Sequence, residues 1–145
     1  EYFMHCVSKY IINYCIENNI GTIVVGKNDK WKQECNMSRF VNQNFVQIPD
    51  ELFIDKLKYK SEEIGIDFIE NEEGYTSGTS FLDNELPIKE NYNKNRRVHR
   101  GLFVSNTGIK INADVNGAYQ IMRKVFSNIT NEIVGVHLHP MIINL

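Results

Sequence analysis

Hydrophobic residues recur at intervals of three and four positions in three stretches of the chain, and this spacing predicts three helices. The first helix runs from Tyr2 to about Glu17, and its predicted buried face consists of Phe3, Val7, Tyr10, Ile11 and Tyr14. The second begins at Pro49-Asp50 and stops at Gly65, with one face formed by Phe53, Leu57 and Ile64. The third begins at Asp114, and its predicted inward face consists of Val115, Ala118, Ile121, Met122 and Val125.

Short runs of β-branched and apolar residues between these helices predict strands. Residues 20–25, closed by Gly26, are typical of a strand buried on both faces, and residues 66–69 predict the next strand. Two further runs flank a Ser-Asn-Thr-Gly turn sequence and predict a hairpin: residues 98–104 and 109–111. The polar residues 27–47 predict a long loop, and residues 126–145 predict an extended C-terminal arm.

The order of strand, helix and strand over residues 20–69 favours a crossover unit in a mixed sheet, and therefore an α/β fold. The chain has 145 residues, of which 42% are hydrophobic, so it can bury the core of one ordinary domain. Its net charge of −2 argues against a free-standing basic nucleic-acid binder, and any basic surface must be local.

The remaining composition bears on the compartment and on the ends of the chain. The cysteines are too few and too widely spaced for a disulfide framework or a Cys-x-x-Cys metal site, which favours a reducing cytoplasm; they are Cys6, Cys15 and Cys35. No apolar run approaches the roughly 20 residues of a membrane span. Because the chain begins at Glu1, directly in helix-like sequence, we expect it to be the C-terminal piece of a longer protein.

Acidic residues supply the first candidate chemistry. Glu70, Glu72 and Glu73 cluster at the end of a predicted buried strand, where ligand sites of open α/β sheets gather. Together with Asp114 they offer the carboxylate oxygens that a Mg²⁺ or Mn²⁺ site requires. The competing interpretations are a solvated acidic turn for the cluster and an N-cap role for Asp114.

A local basic segment is the second candidate for a functional site. Lys94, Arg96, Arg97 and Arg100 lie within seven residues of an otherwise slightly acidic chain. Such a segment can follow a phosphate backbone, although an exposed loop with solvated charges has the same composition. The sequence leaves both interpretations open.

Seven segments in one order resemble the C-terminal part of the TnpB (OrfB) family of transposon-encoded, RNA-guided DNA nucleases. They cover essentially the whole chain and comprise residues 22–28, 31–34, 42–49, 72–77, 80–84, 100–103 and 111–118. The family's nuclease domain has a RuvC-like fold of the RNase H type. The resemblance therefore implies a partial RuvC/RNase H-like sheet with flanking helices and an inserted metal-free β-hairpin. It divides the chain into a RuvC-like nuclease domain without its first strand (1–74), a zinc-ribbon-like insertion lacking cysteines (75–112) and a RuvC-like C-terminal helix and tail (113–145).

The resemblance also implies catalytic residues. In this family three carboxylates hold two metal ions, and Asp114 in Asn-Ala-Asp-Val-Asn-Gly matches the third, the Asp of the D-x-N motif. The second is usually a Glu directly after the central strand, where this chain has Gly26. Glu72 or Glu73 is placed to supply the missing ligand, with Glu70 as a weaker choice. The first carboxylate would lie upstream of Glu1.

A second departure concerns zinc. The family commonly carries a zinc ribbon built from two Cys-x-x-Cys knuckles between the Tyr-Thr-Ser segment and the D-x-N helix. The matching positions carry no cysteine here; they are Ser80 (or Thr79), Asp83, Val104 and Thr107. We therefore expect a ribbon remnant without zinc, held together by Phe81, Leu102 and Phe103.

The implied function is a C-terminal part of an RNA-guided DNA endonuclease, with DNA and a guide RNA as partners and no membrane. It would contribute Asp114 and Glu72 or Glu73 to Mg²⁺- or Mn²⁺-dependent cleavage, and Lys94, Arg96, Arg97 and Arg100 to nucleic-acid contacts. The fragment alone is expected to be inactive. The alternatives are a non-catalytic nucleic-acid-binding module and an α/β interaction domain without a nucleic-acid role.

Overall fold

The computed structural model describes residues 2–27, 48–134 and 137–144. Almost all of the predicted loop 27–47 lies outside these residues, as does Cys35. The elements in chain order are α1 (Tyr2–Glu17), β1 (Thr22–Lys27), α2 (Ile48–Glu63), β2 (Asp67–Glu72), β3 (Arg97–His99), β4 (Leu102–Val104), β5 (Lys110–Asn112), α3 (Ala113–Val125) and α4 (Asn131–Val134). Helices and small sheets thus mix along the chain, which confirms the α/β class.

The chain divides into two compact units. The first contains α1, α2 and the beginnings of β1 and β2. The second contains Val24–Lys27 and Glu70–Ile143. The candidate functional residues described below all belong to the second unit.

In the first unit α1 packs on α2, and the predicted face is only partly buried: Val7, Tyr10 and Ile11 are half-buried. Ser8, Ile12 and Cys15 are buried, whereas Phe3 is 69% exposed. Hydrophobic residues lie around more than one side of α1, so periodicity could not identify the buried side. The contact with α2 is made in part by hydrogen bonds from Lys60 Nζ to Ser8 Oγ (2.8 Å) and to the His5 carbonyl (3.0 Å).

Strands β1 and β2 pair with each other. Asp67 N donates to the Gly21 carbonyl at one end and Glu73 N to the Lys27 carbonyl at the other, so the strands run parallel. The predicted strand 66–69 was too short, because pairing with β1 extends β2 to Glu72. Glu70 and Glu72 are therefore strand residues rather than members of a following turn.

In the second unit β3, β4 and β5 form an antiparallel sheet in that order. Leu102 pairs with Asn112 and Val104 with Lys110, which confirms the hairpin. The prediction of one continuous strand over residues 98–104 was wrong, because a turn at residues 100–101 separates β3 from β4. Phe81 and Phe103 are fully buried in this region, while Leu102 is half-buried.

Helix α3 fully buries a polar face, while four residues of its predicted hydrophobic face are half-buried: Val115, Ile121, Met122 and Val125. Its buried residues are Ala113, Asn116, Gln120 and Arg123, whereas Ala118 is exposed. Asn116 Oδ1 accepts from Phe81 N (3.0 Å), and its Nδ2 donates to the Thr79 carbonyl (2.9 Å). Such hydrogen bonds satisfy the backbone of an irregular segment that has no strand partner of its own.

The remaining two side chains of this face continue the pattern. Gln120 Nε2 donates to the Glu85 carbonyl (3.0 Å), and so does Arg123 Nη1 (2.8 Å). The Arg123 guanidinium also lies 4.1 Å from the centroid of the Phe81 ring. Helix α3 therefore serves as a scaffold for residues 79–85.

The residue that caps α3 is Asn112, not Asp114. Asn112 Oδ1 accepts from Asp114 N (2.9 Å) and Val115 N (3.0 Å), which places Asp114 inside the first turn. We expect Asn112→Ala to lower the free energy of unfolding by about 1 kcal/mol, because two helix N–H groups lose their acceptor. Chemical denaturation measures this loss, with Asn112→Ser as the control that restores a cap. The assignment of Asn112 as the cap would be contradicted if Asp114→Asn lowered the free energy of unfolding by this amount and Asn112→Ala did not.

The C-terminal region is not a simple extended arm. Residues Asn131–Val134 form the short helix α4, and residues 137–144 have no regular structure. The Leu138 carbonyl accepts from Asn112 N (2.9 Å), which attaches this segment to β5. None of the helices in the described part of the chain is long and apolar enough to span a membrane.

Candidate metal and nucleic-acid site

Glu73 follows β2 and lies beside the end of the parallel strand β1. A Cβ atom built on Gly26 would be 2.7 Å from Glu73 Oε2 and 2.6 Å from Ile121 Cδ1. The Glu73 carboxylate therefore occupies the space that a side chain of residue 26 would enter. A side chain at this position would require the ends of the Glu73 and Ile121 side chains to move.

Glu72 points to a different place. Its Oε2 lies 2.9 Å from Lys124 Nζ, and its Oε1 accepts a hydrogen bond from Gly74 N. Lys124 belongs to the last turn of α3, ten residues after Asp114, which corresponds to about 15 Å along a helix. Glu72 is thus held at the opposite end of α3 from Asp114.

Asp114 is exposed in the first turn of α3. The Ile121 side chain, which borders Gly26 together with Glu73, is seven residues and about 10 Å further along the helix. Among the three Glu candidates, Glu70 is an exposed strand residue, Glu72 faces Lys124, and Glu73 faces the end of β1. Within the described residues no three His, Cys, Asp or Glu side chains are grouped so as to hold a metal ion.

The donors available here suit a hard divalent cation. Mg²⁺ prefers oxygen ligands and is commonly bound through one or two carboxylates completed by substrate phosphates and water. Glu73 and Asp114 are carboxylates of this kind, but the described residues do not group them with a third ligand. Asp114 does not have to serve as the cap of α3, because Asn112 fills that role.

The basic segment contains two kinds of side chain. Lys94, Arg97 and Arg100 are exposed. Arg97 Nη2 donates to the Arg100 carbonyl (2.8 Å) at the turn between β3 and β4, in a solvent-exposed hydrogen bond. These three residues are accessible to a phosphate backbone.

Arg96 is different, because it is an internal cross-link of the second unit. Its side chain is only 10% exposed and makes two hydrogen bonds of 2.8 Å to the Glu85 carboxylate. Nη2 also donates to the carbonyls of Gly78 (2.9 Å) and Asn91 (3.1 Å). A guanidinium engaged in this way is poorly placed for phosphate, so the nucleic-acid assignment rests on Lys94, Arg97 and Arg100.

Three of the four positions that the resemblance matches to zinc ligands carry hydrogen-bonded polar side chains, and the fourth, Val104, ends strand β4. Ser80 Oγ accepts from Asp83 N (3.2 Å), and Asp83 Oδ2 accepts from Asn106 N (2.9 Å). Ser105 Oγ lies 3.0 Å from Thr107 Oγ1. Polar side chains thereby connect the turn at Asp83 to the turn at Asn106. Arg96 lies beside both turns, with its Nη1 3.9 Å from Asp83 Oδ2.

Glu85 is expected to make the second unit sensitive to acid. Burial would raise its pKa, but hydrogen bonds from Arg96 and from Ser80 N outweigh burial and hold the pKa below the ordinary value of 4.5. A depressed pKa contributes stability that is fully present above the ordinary pKa and is lost as the pH falls through the folded-state value. We therefore expect wild type to exceed Glu85→Gln in stability at pH 7.

Urea unfolding between pH 7 and pH 3 provides the measurement. The difference between the two proteins should stay constant above about pH 5 and shrink at lower pH. A difference that persists unchanged to pH 3 would show that the ionised carboxylate is not the source of the stability.

Sequence reasoning missed the residues that organise this unit: Arg96 as a cross-link, and Asn116, Gln120 and Arg123 as a scaffold. The last three are spaced four and three residues apart, which is the spacing of one helix face. A search for polar as well as hydrophobic periodicity would have found that face. Nothing in the local sequence distinguishes Arg96 from Arg97.

Comparison with known proteins gives two findings. Residues 51–121 match the family model described as "Cas12f1-like, TNB domain". The fold is similar to that of a Cas12f1 chain whose cryo-EM structure is a complex with sgRNA and target DNA, with a TM-score of 0.58 and 20% sequence identity. The alignment covers 83% of this chain and 32% of that chain, so this chain spans about a third of the length of that protein.

A search of curated proteins found no match. The structural likeness by itself concerns the fold, whereas the family model concerns the sequence of most of α2, β2, the antiparallel sheet and most of α3. Taken together, the matched family and the shared fold support a relationship between this chain and the TnpB/Cas12-type nucleases.

Proposed function

We propose that this chain is a part of an RNA-guided DNA nuclease of the TnpB/Cas12 type, and that Glu73 and Asp114 are two of the carboxylates that hold Mg²⁺ or Mn²⁺. The observation that carries this proposal is the position of the Glu73 carboxylate beside Gly26. The resemblance places the family's second catalytic Glu at residue 26. The Glu73 carboxylate supports this assignment, because it lies beside the position from which a side chain of residue 26 would project.

The arrangement gives each residue a distinct task. The ions, when bound, supply an activated water and stabilise charge on the phosphate. Glu73 is positioned by the pairing of β2 with β1, and Asp114 is displayed by α3 while Asn112 caps that helix. Lys94, Arg97 and Arg100 bind the phosphate backbone and so orient the strand.

Glu72 is a positioning residue in this proposal rather than a metal ligand. Its bond to Lys124 neutralises a charge near Glu73 and connects the end of β2 to α3. The hairpin region is proposed as a ribbon remnant in which Arg96 and Glu85 provide the cross-link that zinc provides in other members. DNA and a guide RNA are the proposed partners, supported by the fold shared with a Cas12f1 chain.

The test is a chimera in which this chain replaces the aligned segment of Cas12f1. The chimera is assembled with guide RNA and mixed with target DNA in Mg²⁺, and both DNA binding and DNA cleavage are measured. We expect binding and Mg²⁺-dependent cleavage. Binding without cleavage, in a chimera that unfolds cooperatively, would favour a non-catalytic nucleic-acid-binding module. Loss of DNA and RNA binding in such a chimera would contradict both interpretations.

A further inference from the structure

Tyr75 and Tyr92 form an aromatic pair on the surface of the second unit. Their ring centroids are 5.8 Å apart, and the ring planes meet at 72°. Tyr75 is 45% exposed and Tyr92 41% exposed. In an edge-to-face contact each ring keeps at least one face that its partner does not cover. A large part of each tyrosine side chain is therefore accessible to a ligand.

The backbone holds Tyr75 in an unusual conformation. Its φ is +64°, a region that bulky residues rarely adopt. Thr76 Oγ1 donates to the Glu73 carbonyl (2.7 Å), and Thr79 Oγ1 donates to the Tyr75 carbonyl (2.7 Å). Two threonines thus fix a turn that keeps the Tyr75 side chain near the surface, two residues after Glu73.

The Tyr92 ring packs against Gly78. A Cβ atom on Gly78 would overlap the Tyr92 ring, so the ring lies directly against the backbone of residue 78. The Gly78 carbonyl accepts from Asn93 N (2.8 Å) and from Arg96 Nη2 (2.9 Å). The pair is therefore anchored from both sides to hydrogen-bonded backbone, and it requires little reorganisation to bind.

We infer that Tyr75 and Tyr92 form a stacking platform for an unpaired base of the DNA strand that reaches Glu73. This inference rests on the proposed function, which it deepens by naming the feature that binds the strand next to the carboxylate. Exposed aromatic faces bind single-stranded nucleic acid by stacking, whereas the bases of a duplex already stack on each other. The exposed cations Lys94 and Arg97 follow Tyr92 within five residues and suit the phosphates of the same strand.

The experiment compares two ligands of equal charge. The chain is titrated with a fluorescent thymidine oligonucleotide of about 16 nucleotides and with an abasic phosphodiester of the same length. We expect about tenfold tighter binding of the thymidine oligonucleotide, because only this ligand can stack. Tyr75→Asn removes the ring with a residue that tolerates positive φ, and Tyr92→Leu keeps apolar contact without a π-face.

Each of these variants is expected to weaken thymidine binding about tenfold and to leave abasic binding unchanged. Tyr75→Phe should retain the preference, since stacking requires the ring and not the hydroxyl group. The matched control is Tyr59→Leu, which removes a 60% exposed tyrosine from the first unit and should change neither affinity.

The outcomes separate the two proposals. Equal binding of both ligands by wild type would overturn the platform while leaving nucleic-acid binding intact. Equal weakening of both ligands by Tyr75→Asn would also overturn it, because the ring would then act through the fold. Absence of binding to either ligand by the folded chain would contradict a nucleic-acid role for the chain, and the platform with it.

Discussion

Replacing Glu73 by Gln in the chimera is expected to lower the rate of DNA cleavage by about two orders of magnitude or more. The amide keeps the size of the side chain but removes the charge that a divalent cation requires. Asp114→Asn should have the same effect, and DNA binding should remain largely unchanged in both. Single-turnover cleavage rates with a filter-binding assay measure the two properties separately.

Glu72→Gln is the matched control, because it removes a neighbouring carboxylate that contacts Lys124 instead of the end of β1. We expect Glu72→Gln to slow cleavage by less than about fivefold, because it removes only an exposed ion pair. A loss in Glu72→Gln as large as that in Glu73→Gln would shift the ligand assignment to Glu72. Equal losses of binding and cleavage in Asp114→Asn would point to a structural role for Asp114.

Moving the carboxylate provides a stricter test of the same site. Glu73→Ala frees the space beside Gly26, and Gly26→Glu in the same protein returns a carboxylate from β1 instead of β2. We expect the double variant to cleave DNA faster than Glu73→Ala alone. Gly26→Glu alone should be impaired, because its Cβ would meet the Glu73 carboxylate and Ile121. A double variant no better than Glu73→Ala would argue against a site between these strand ends.

Removing the Arg96 side chain is expected to have the largest effect on stability. Arg96→Met should lower the free energy of unfolding by about 3–5 kcal/mol, because it leaves the Glu85 carboxylate half-buried without its cation. Arg96→Lys should recover only part of this loss, since an ammonium group cannot reproduce the two parallel bonds to Glu85. Urea unfolding at pH 7 measures both.

Arg97→Met is the matched control, because Arg97 is the next residue and is exposed. Its effect should remain within about 0.5 kcal/mol. The double variant Arg96→Met/Glu85→Met should be more stable than Arg96→Met, since both members of the pair are then apolar. Equal stability of Arg96→Met and Arg97→Met would refute the cross-link.

The sequence predicted elements well where one local signal was sufficient. The spacing of hydrophobic residues predicted α1, α2 and α3 within about two residues at their starts, and the turn sequence 105–108 predicted the β4–β5 hairpin. These features depend on residues close in the chain, so a short window contains the necessary information. The strand ends were less accurate, because pairing with β1 decided how far β2 extends.

The buried faces of the helices could not be predicted from local sequence in the same way. Helix α3 has half-buried Val115 and Ile121, as hydrophobicity suggests, yet its fully buried side chains include Asn116 and Gln120. Their partners are backbone groups of residues 79–85, more than 30 positions earlier in the chain. Polar burial depends on a partner with matching hydrogen-bonding groups, and the helix's own sequence does not reveal that partner.

In the candidate site, too, some features follow from the sequence and others only from the tertiary structure. The sequence by itself determined the chemical character of the site, a carboxylate cluster after a strand, an Asp at a helix start and a local basic segment. Only the tertiary structure decided that Glu73 faces Gly26 while Glu72 faces Lys124, that Asn112 caps α3, and that Arg96 is internal while Arg97 is exposed. Residue type sets what a side chain can bind. Which neighbour it meets is set by strand pairing and helix packing between segments distant in the chain.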